Sequence, residues 1–88
     1  MEHKIQLKFL RKPEARERYG LSNTAFYLRV KEGLLPPPCS LGERAVGFPE
    51  HEVTTVIAAM MAGKDKEQLK NLVATLVAQR ENIMEVSQ

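Results

Sequence analysis

The sequence predicts a mainly α-helical fold with one small β-hairpin: a helix–turn–helix, then the hairpin, then further helix. Three observations predict it. Two helix-like stretches are separated only by Gly20-Leu21-Ser22, a tight turn that contains its own glycine. Three consecutive prolines, Pro36-Pro37-Pro38, interrupt the helical pattern midway. Beyond Pro49 the apolar residues return at helical spacing.

The chain has 88 residues, enough for one small domain. At 43% hydrophobic and 27% charged, it is ordinary globular material rather than a disordered or fibrous segment. Its one cysteine, Cys39, excludes an internal disulfide framework and any zinc site built on cysteine pairs. The longest run without a charge, Val53 to Gly63, is 11 residues, against the roughly 18 that a membrane-spanning helix needs. No membrane segment is expected, and Met1-Glu2-His3-Lys4-Ile5-Gln6 has no apolar signal core. The expected location is the cytoplasm, with a reduced thiol.

Residues 1–8 have no clear period and are expected to form a flexible arm or a short edge segment. A first helix fits Pro13 to Tyr19. Pro13 suits the first turn, where its missing N–H costs nothing, and Gly20 suits the left-handed position that ends a helix. A second helix fits Asn23 to Glu32, with Ser22 as its N-cap and Gly33 as its stop. Within it Phe26 and Val30 lie one turn apart and face the core, with Leu21 just before them.

The prolines forbid helix and central strand, so residues 34–41 are expected to be extended, as an edge strand at best. Leu41-Gly42-Glu43-Arg44 reads as a tight turn and Ala45-Val46-Gly47-Phe48 as a short return strand. Pro49 opens a third helix, with Glu50 and Glu52 in the first turn where the dipole favours negative charge. Val53, Val56, Ile57, Met60 and Met61 are its core stripe, and Gly63 closes it. A fourth helix runs from near Asp65 to about Met84, with a stripe of Leu69, Leu72, Val73, Leu76, Val77, Ile83 and Met84 interrupted by Gln79. The organisation expected is an arm (1–8), a helix–turn–helix with hairpin (9–63) and a C-terminal amphipathic helix (64–88). That last helix either folds back to complete a thin core or pairs with a second copy as a homodimer.

The net charge of +2 hides a gradient: +4 over residues 1–48 and −2 over residues 49–88. A basic front half suits a polyanionic partner, although uneven surface decoration gives the same numbers. No enzyme is expected, since no nucleophile, base and metal ligand cluster. His3 and His51 lie far apart and lack ligand spacing, and the glycines are too scattered to form a phosphate loop. No metal and no cofactor are expected.

A helix fits the major groove of B-DNA with its N-terminal residues at the base edges. The face of the second helix opposite Phe26 holds Asn23, Thr24, Tyr27 and Lys31. Asn23 suits a bidentate bond to adenine or a bond to phosphate, Ser22 and Thr24 suit phosphates beside the helix start, and Tyr27 offers a phenol and a ring. The phase of Leu28 and Arg29 is ambiguous, and a solvated surface is the competing reading of this face. Arg44, at the hairpin turn, suits phosphates or a narrow minor groove; the competing reading pairs it with Glu43. Lys8, Arg11, Lys12 and Arg16 surround the first helix and suit the flanking backbone.

Phe9-Leu10-Arg11, the Gly20-Leu21-Ser22 turn, Phe26-Tyr27, Glu32-Gly33, the run Leu41 to Phe48 and Glu52-Val53 together resemble the AlpA family of small prophage regulatory proteins, over about 55 of the 88 residues. That family is related to excisionases and to the DNA-binding domains of the MerR family. The resemblance implies a MerR-like winged helix–turn–helix plus a C-terminal helix, acting on double-stranded DNA as a transcriptional regulator. By position it makes residues 22–32 the recognition helix and residues 40–47 the wing. Asn23 stands where the family often has arginine, and Phe48 where it often has tryptophan. The resemblance also admits an excision factor that bends DNA and assists an integrase, so the implied protein partners are an integrase or RNA polymerase. A third reading is a protein-interaction adaptor that uses the acidic C-terminal helix and no DNA.

Overall fold

A computed structural model describes the backbone of residues 7–86 and the side chains of residues 7–83. The elements are β1 (Phe9–Leu10), α1 (Lys12–Tyr19), α2 (Asn23–Lys31), β2 (Cys39–Gly42), β3 (Ala45–Pro49), α3 (Glu50–Met61), α4 (Lys66–Ala78) and α5 (Arg80–Val86). The chain is mainly α with a small antiparallel sheet, as the sequence predicts.

Local chemistry accounts for most of the boundaries. In α1, Arg11 is the N-cap and Pro13 sits in the first turn, so the helix starts one residue before the expected Pro13. Gly20 ends it at φ 70°, and the N–H groups of Gly20 and Leu21 close on the carbonyls of Glu17 and Arg16 at 3.0 and 3.2 Å. The Ser22 hydroxyl accepts the Ala25 N–H at 3.2 Å and caps α2. In α4, Asp65 and Gln68 form a reciprocal capping box at 2.9 and 3.0 Å.

The hairpin becomes a three-stranded sheet in the order β1-β3-β2. Leu10 faces Phe48, and the Lys8 carbonyl accepts the Glu50 N–H at 2.8 Å, which pins the end of the expected arm. Residues 1–6 of that arm lie outside the described residues. β1 has only two residues, too few for an alternating pattern to mark it. The wing turn is Glu43-Arg44, between Gly42 and Ala45, and the ladder is irregular between Ser40 and Gly42.

The core joins every layer. Leu10, Ala15, Phe26, Leu34, Leu35, Phe48, Val53 and Val56 are buried together with Leu69, Val73 and Leu76 of α4. Phe26 lies 6.0 Å from Tyr19 and meets Phe48 edge-on at 5.2 Å, so one ring links α1, α2 and β3. The stripe of α4 is folded back into this core. Leu72 is packed at its margin, and Val77 is 36% exposed rather than buried. Met61 is 85% exposed, because eight residues after Val53 the α3 stripe has rotated to its edge.

Two features depart from the expected pattern together. Glu52 sits in the first turn of α3 as expected, but it is completely buried there, which the sequence does not indicate. Its partner is Arg80, whose Nε and Nη2 donate to Oε2 and Oε1 at 2.8 and 2.7 Å; Nη2 also donates to the Pro37 carbonyl at 2.7 Å. The single fourth helix expected to reach Met84 is broken at Gln79, where an apolar residue would continue the stripe, and α5 starts on Arg80 itself. The Met84 side chain lies outside the described residues.

Arg80→Met leaves Glu52 buried without its cation and should lower stability by about 3–5 kcal/mol, read from urea unfolding. Glu52→Leu combined with Arg80→Met removes both charges at similar volume and should restore most of that loss. The Tyr19 phenol is pushed up from its ordinary value of 10 by burial and, secondarily, by negative Glu52. Below that value the phenol is neutral in both states. Above it the unfolded phenol ionises while the folded one holds its proton, so stability falls as pH rises. Unfolding at about pH 9 and about pH 11 should show a larger loss for the wild type than for Tyr19→Phe.

Candidate nucleic-acid interface

The outward face of α2 consists of Asn23, Thr24, Tyr27, Leu28 and Lys31, all exposed, opposite the buried Phe26. The spacing i, i+1, i+4, i+5, i+8 makes this one continuous strip. Tyr27 is 58% exposed and Leu28 45% exposed, so Leu28 belongs to the strip, while Arg29 is half-buried on its flank. None of these five is acidic; the exposed Glu32, one turn beyond Leu28, borders the strip and reaches Lys66. Asn23 and Thr24 occupy the first turn, where backbone N–H groups have no acceptor within the helix. Ser22 is adjacent, but its oxygen is already engaged in capping α2.

The wing tip is built differently. Arg44 is exposed at the turn with φ 59°, the one non-glycine residue at positive φ among the described residues. This conformation costs a residue with a Cβ roughly 1–2 kcal/mol. Among the described residues Arg44 has no ion-pair partner, and the alternative pairing with Glu43 does not form.

The remaining cations divide in two. Among the described residues Arg11 and Lys12 are exposed without acidic partners, as are Lys8 and Lys31. Arg16 is half-buried, and its Nη1 donates to the Leu21 carbonyl at 2.8 Å, bracing the turn between α1 and α2. Arg18 is held by Glu50 at 3.0 Å and Glu14 at 3.7 Å, and Lys66 reaches Glu32 at 3.9 Å. These pairs engage four of the acids that the front half or its neighbours present, counting Glu52. Among the described residues the cations without an acidic partner therefore stand near β1, α1, the end of α2 and the wing tip, and also at Arg29, at Lys64 between α3 and α4 and at Lys70 on α4.

Sequence reasoning missed the Glu52–Arg80–Pro37 linkage and the bracing role of Arg16. Neither has a local signal: the first spans 28 and 43 residues, and the second depends on the turn having closed. Elsewhere, Cys39 and His51 line an apolar groove of about 350 Å³ with Leu7, Phe9, Pro49 and Ile83. Among the described residues the His51 Nδ1 is buried without a hydrogen-bond partner. Among the described residues no three His, Cys, Asp or Glu side chains are placed to hold a metal ion, and no helix is long and apolar enough to cross a membrane.

Comparison with known proteins places these features in context. The family model described as "Prophage CP4-57 regulatory protein (AlpA)" matches residues 8–59, from the residue before β1 into α3. The chain is also similar to "Uncharacterized protein ORF88" of Enterobacteria phage P4, with 38% identity over 61 residues, 69% of each chain. No solved structure matches.

The strained wing tip gives a test that needs no ligand. Arg44→Gly relieves the positive-φ cost, partly offset by the greater freedom of glycine in the unfolded chain. Thermal unfolding should show a gain of roughly 0.5–1 kcal/mol.

Proposed function

The chain belongs to the AlpA family of prophage regulatory proteins, and from that premise we propose that it is a sequence-specific DNA-binding transcriptional regulator. Its recognition helix α2 enters the major groove and its wing grips the adjacent backbone or minor groove. The observation that carries this reading is Arg44: an exposed, unpaired arginine kept at positive φ on a two-residue turn where glycine fits better. Strain retained at a loop tip points to work done by the side chain.

In this reading Asn23 and Tyr27 meet base edges, and Thr24 meets phosphate beside the helix start. Ser22 presents that helix start by capping it, and Lys31 reaches backbone at the far end of the strip. Arg11, Lys12 and Arg16 lie along the flanking phosphates, with Arg16 contributing the part of its guanidinium that Leu21 does not engage. The division into a DNA-binding unit over residues 9–63 and a supporting C-terminal segment follows from the same assignment. A homodimer through α4 would have Leu72 and Val77 to offer, since Leu69, Val73 and Leu76 are spent in the core. The contacts assigned to one copy are independent of it.

Affinity for duplex DNA should fall steeply with salt, with a log–log slope of about −0.9 per phosphate contact. A flat salt curve would falsify the reading. Arg44→Ala should weaken binding to all sequences alike. Asn23→Ala should cost about 1–3 kcal/mol of discrimination at one base pair and little general affinity. Selection and sequencing of bound fragments measures both, and separates a promoter operator from an attachment site.

A further inference from the structure

We propose that Arg80 is a positioning residue for the wing: it holds the root of β2 through the Pro37 carbonyl and so sets where Arg44 stands. The mechanism rests on geometry, and its consequence rests on the DNA-binding reading above.

The argument begins with the prolines. Pro36, Pro37 and Pro38 have no N–H, so along this stretch the chain has only carbonyls with which to be tethered. The segment before them is fixed by burial, with Leu34 6% and Leu35 1% exposed and Pro36 also buried. Pro38 is exposed, and Cys39 then opens β2, an edge strand whose ladder partner is β3. Between the buried segment and that edge strand, the Arg80 Nη2 reaches the Pro37 carbonyl at 2.7 Å. Among the described residues no other side chain donates to the triplet.

Arg80 is itself held in one orientation. Two of its nitrogens engage both oxygens of the fully buried Glu52, and a planar fork gripped at both prongs cannot swivel. Glu52 precedes Val53 on α3, and Val53 is 1% exposed in the core. The Pro37 carbonyl is therefore tied to the core through a rigid chain of bonds. β3 does not need this tie, since Phe48 is in the core and β1 pairs along its other edge. β2 has no buried residue of its own and is paired only with β3, at Cys39–Gly47 and Ser40–Val46 before the irregularity between Ser40 and Gly42, so the Arg80 tie gives it a link to the core that does not pass through β3. The turn that carries Arg44 hangs between β3, held by the core, and β2, held by its ladder to β3 and, at its root, by Arg80.

A double-mutant cycle on the full chain tests this. Glu52→Leu with Arg80→Met is the untethered background, which strands no buried charge. Glu52→Gln with Arg80→Leu replaces it should the first pair not fold, because it likewise strands no charge and leaves no donor at position 80 for the Pro37 carbonyl. For duplex DNA recovered by selection, Arg44→Ala should lower affinity about tenfold in the wild type and less than about twofold in the untethered background. Asn23→Ala should shift base preference equally in both. Equal losses for Arg44→Ala in both backgrounds overturn the proposal, and so does simultaneous loss of the Asn23 effect, which signals general loosening.

A second readout needs no DNA. Amide exchange at Leu41 and Gly42 should quicken in the untethered chain while Phe26 and Val30 of α2 keep their protection. Unchanged exchange at β2 overturns the tether. Quicker exchange at β2 with an Arg44→Ala that changes nothing in the wild type supports the tether and overturns instead the assignment of Arg44 as a DNA contact.

Discussion

At the start of α3 a carboxylate is removed completely from water, and the cation that compensates it lies 28 residues further along the chain. Desolvating two charges is expensive, and such a pair stands only when its geometry is good and its spare donors are satisfied. Both conditions hold: Glu52 uses both oxygens, and Arg80 uses a further N–H on Pro37. Much of the surrounding architecture follows from that requirement. α4 stops at Ala78 and Arg80 stands at the head of α5, the proline segment passes close enough to lend a carbonyl, and Tyr19 packs where the carboxylate reinforces its neutral form. A single interaction thus gathers α1, α3, α5 and the approach to β2 around one point.

The sequence reveals the elements whose causes are local. Gly20 and Ser22 mark the helix–turn–helix because one adopts the left-handed conformation and the other caps a helix, whatever the rest of the chain does. The three prolines and the Gly42–Arg44 stretch mark the hairpin in the same way. β1 escapes notice because it is a strand only by virtue of pairing with Phe48 and Pro49. Glu52 stands in the first turn as its sequence position indicates, but its burial is not legible, because the dipole already explains a glutamate there and nothing adjacent says that it is buried. The break at Gln79 is half-visible as a flaw in the stripe, but the contact of the next residue, Arg80, with a partner 28 residues away has no local mark. Met61 and Val77 show the limit of helical spacing, which gives direction but not the distance to a covering neighbour.

The candidate interface divides along the same line. The outward strip of α2 follows from its period, and the inward pull of Phe26 leaves Asn23, Thr24, Tyr27 and Lys31 outside. Which cations remain free does not follow from sequence. Arg11, Lys12 and Arg16 look alike as letters, yet Arg16 braces a turn while the other two stand clear. Arg18 looks equally available and is held by two carboxylates. The family match ends at residue 59, so Arg80 lies outside the segment that identifies the chain even though it completes the charge balance inside that segment.

The proline triplet and its distant donor also bear on how the molecule is made. Synthesis proceeds from the N-terminus, and at the moment the helix–turn–helix and both hairpin strands have been produced, the carboxylate of Glu52 has no counter-charge. The nascent segment can collapse around Phe26, but it cannot bury Glu52 until residue 80 has been added. Local helices form early, whereas the final closure waits on a contact of long sequence separation. The unit that leads the chain is, on the ribosome, finished from behind.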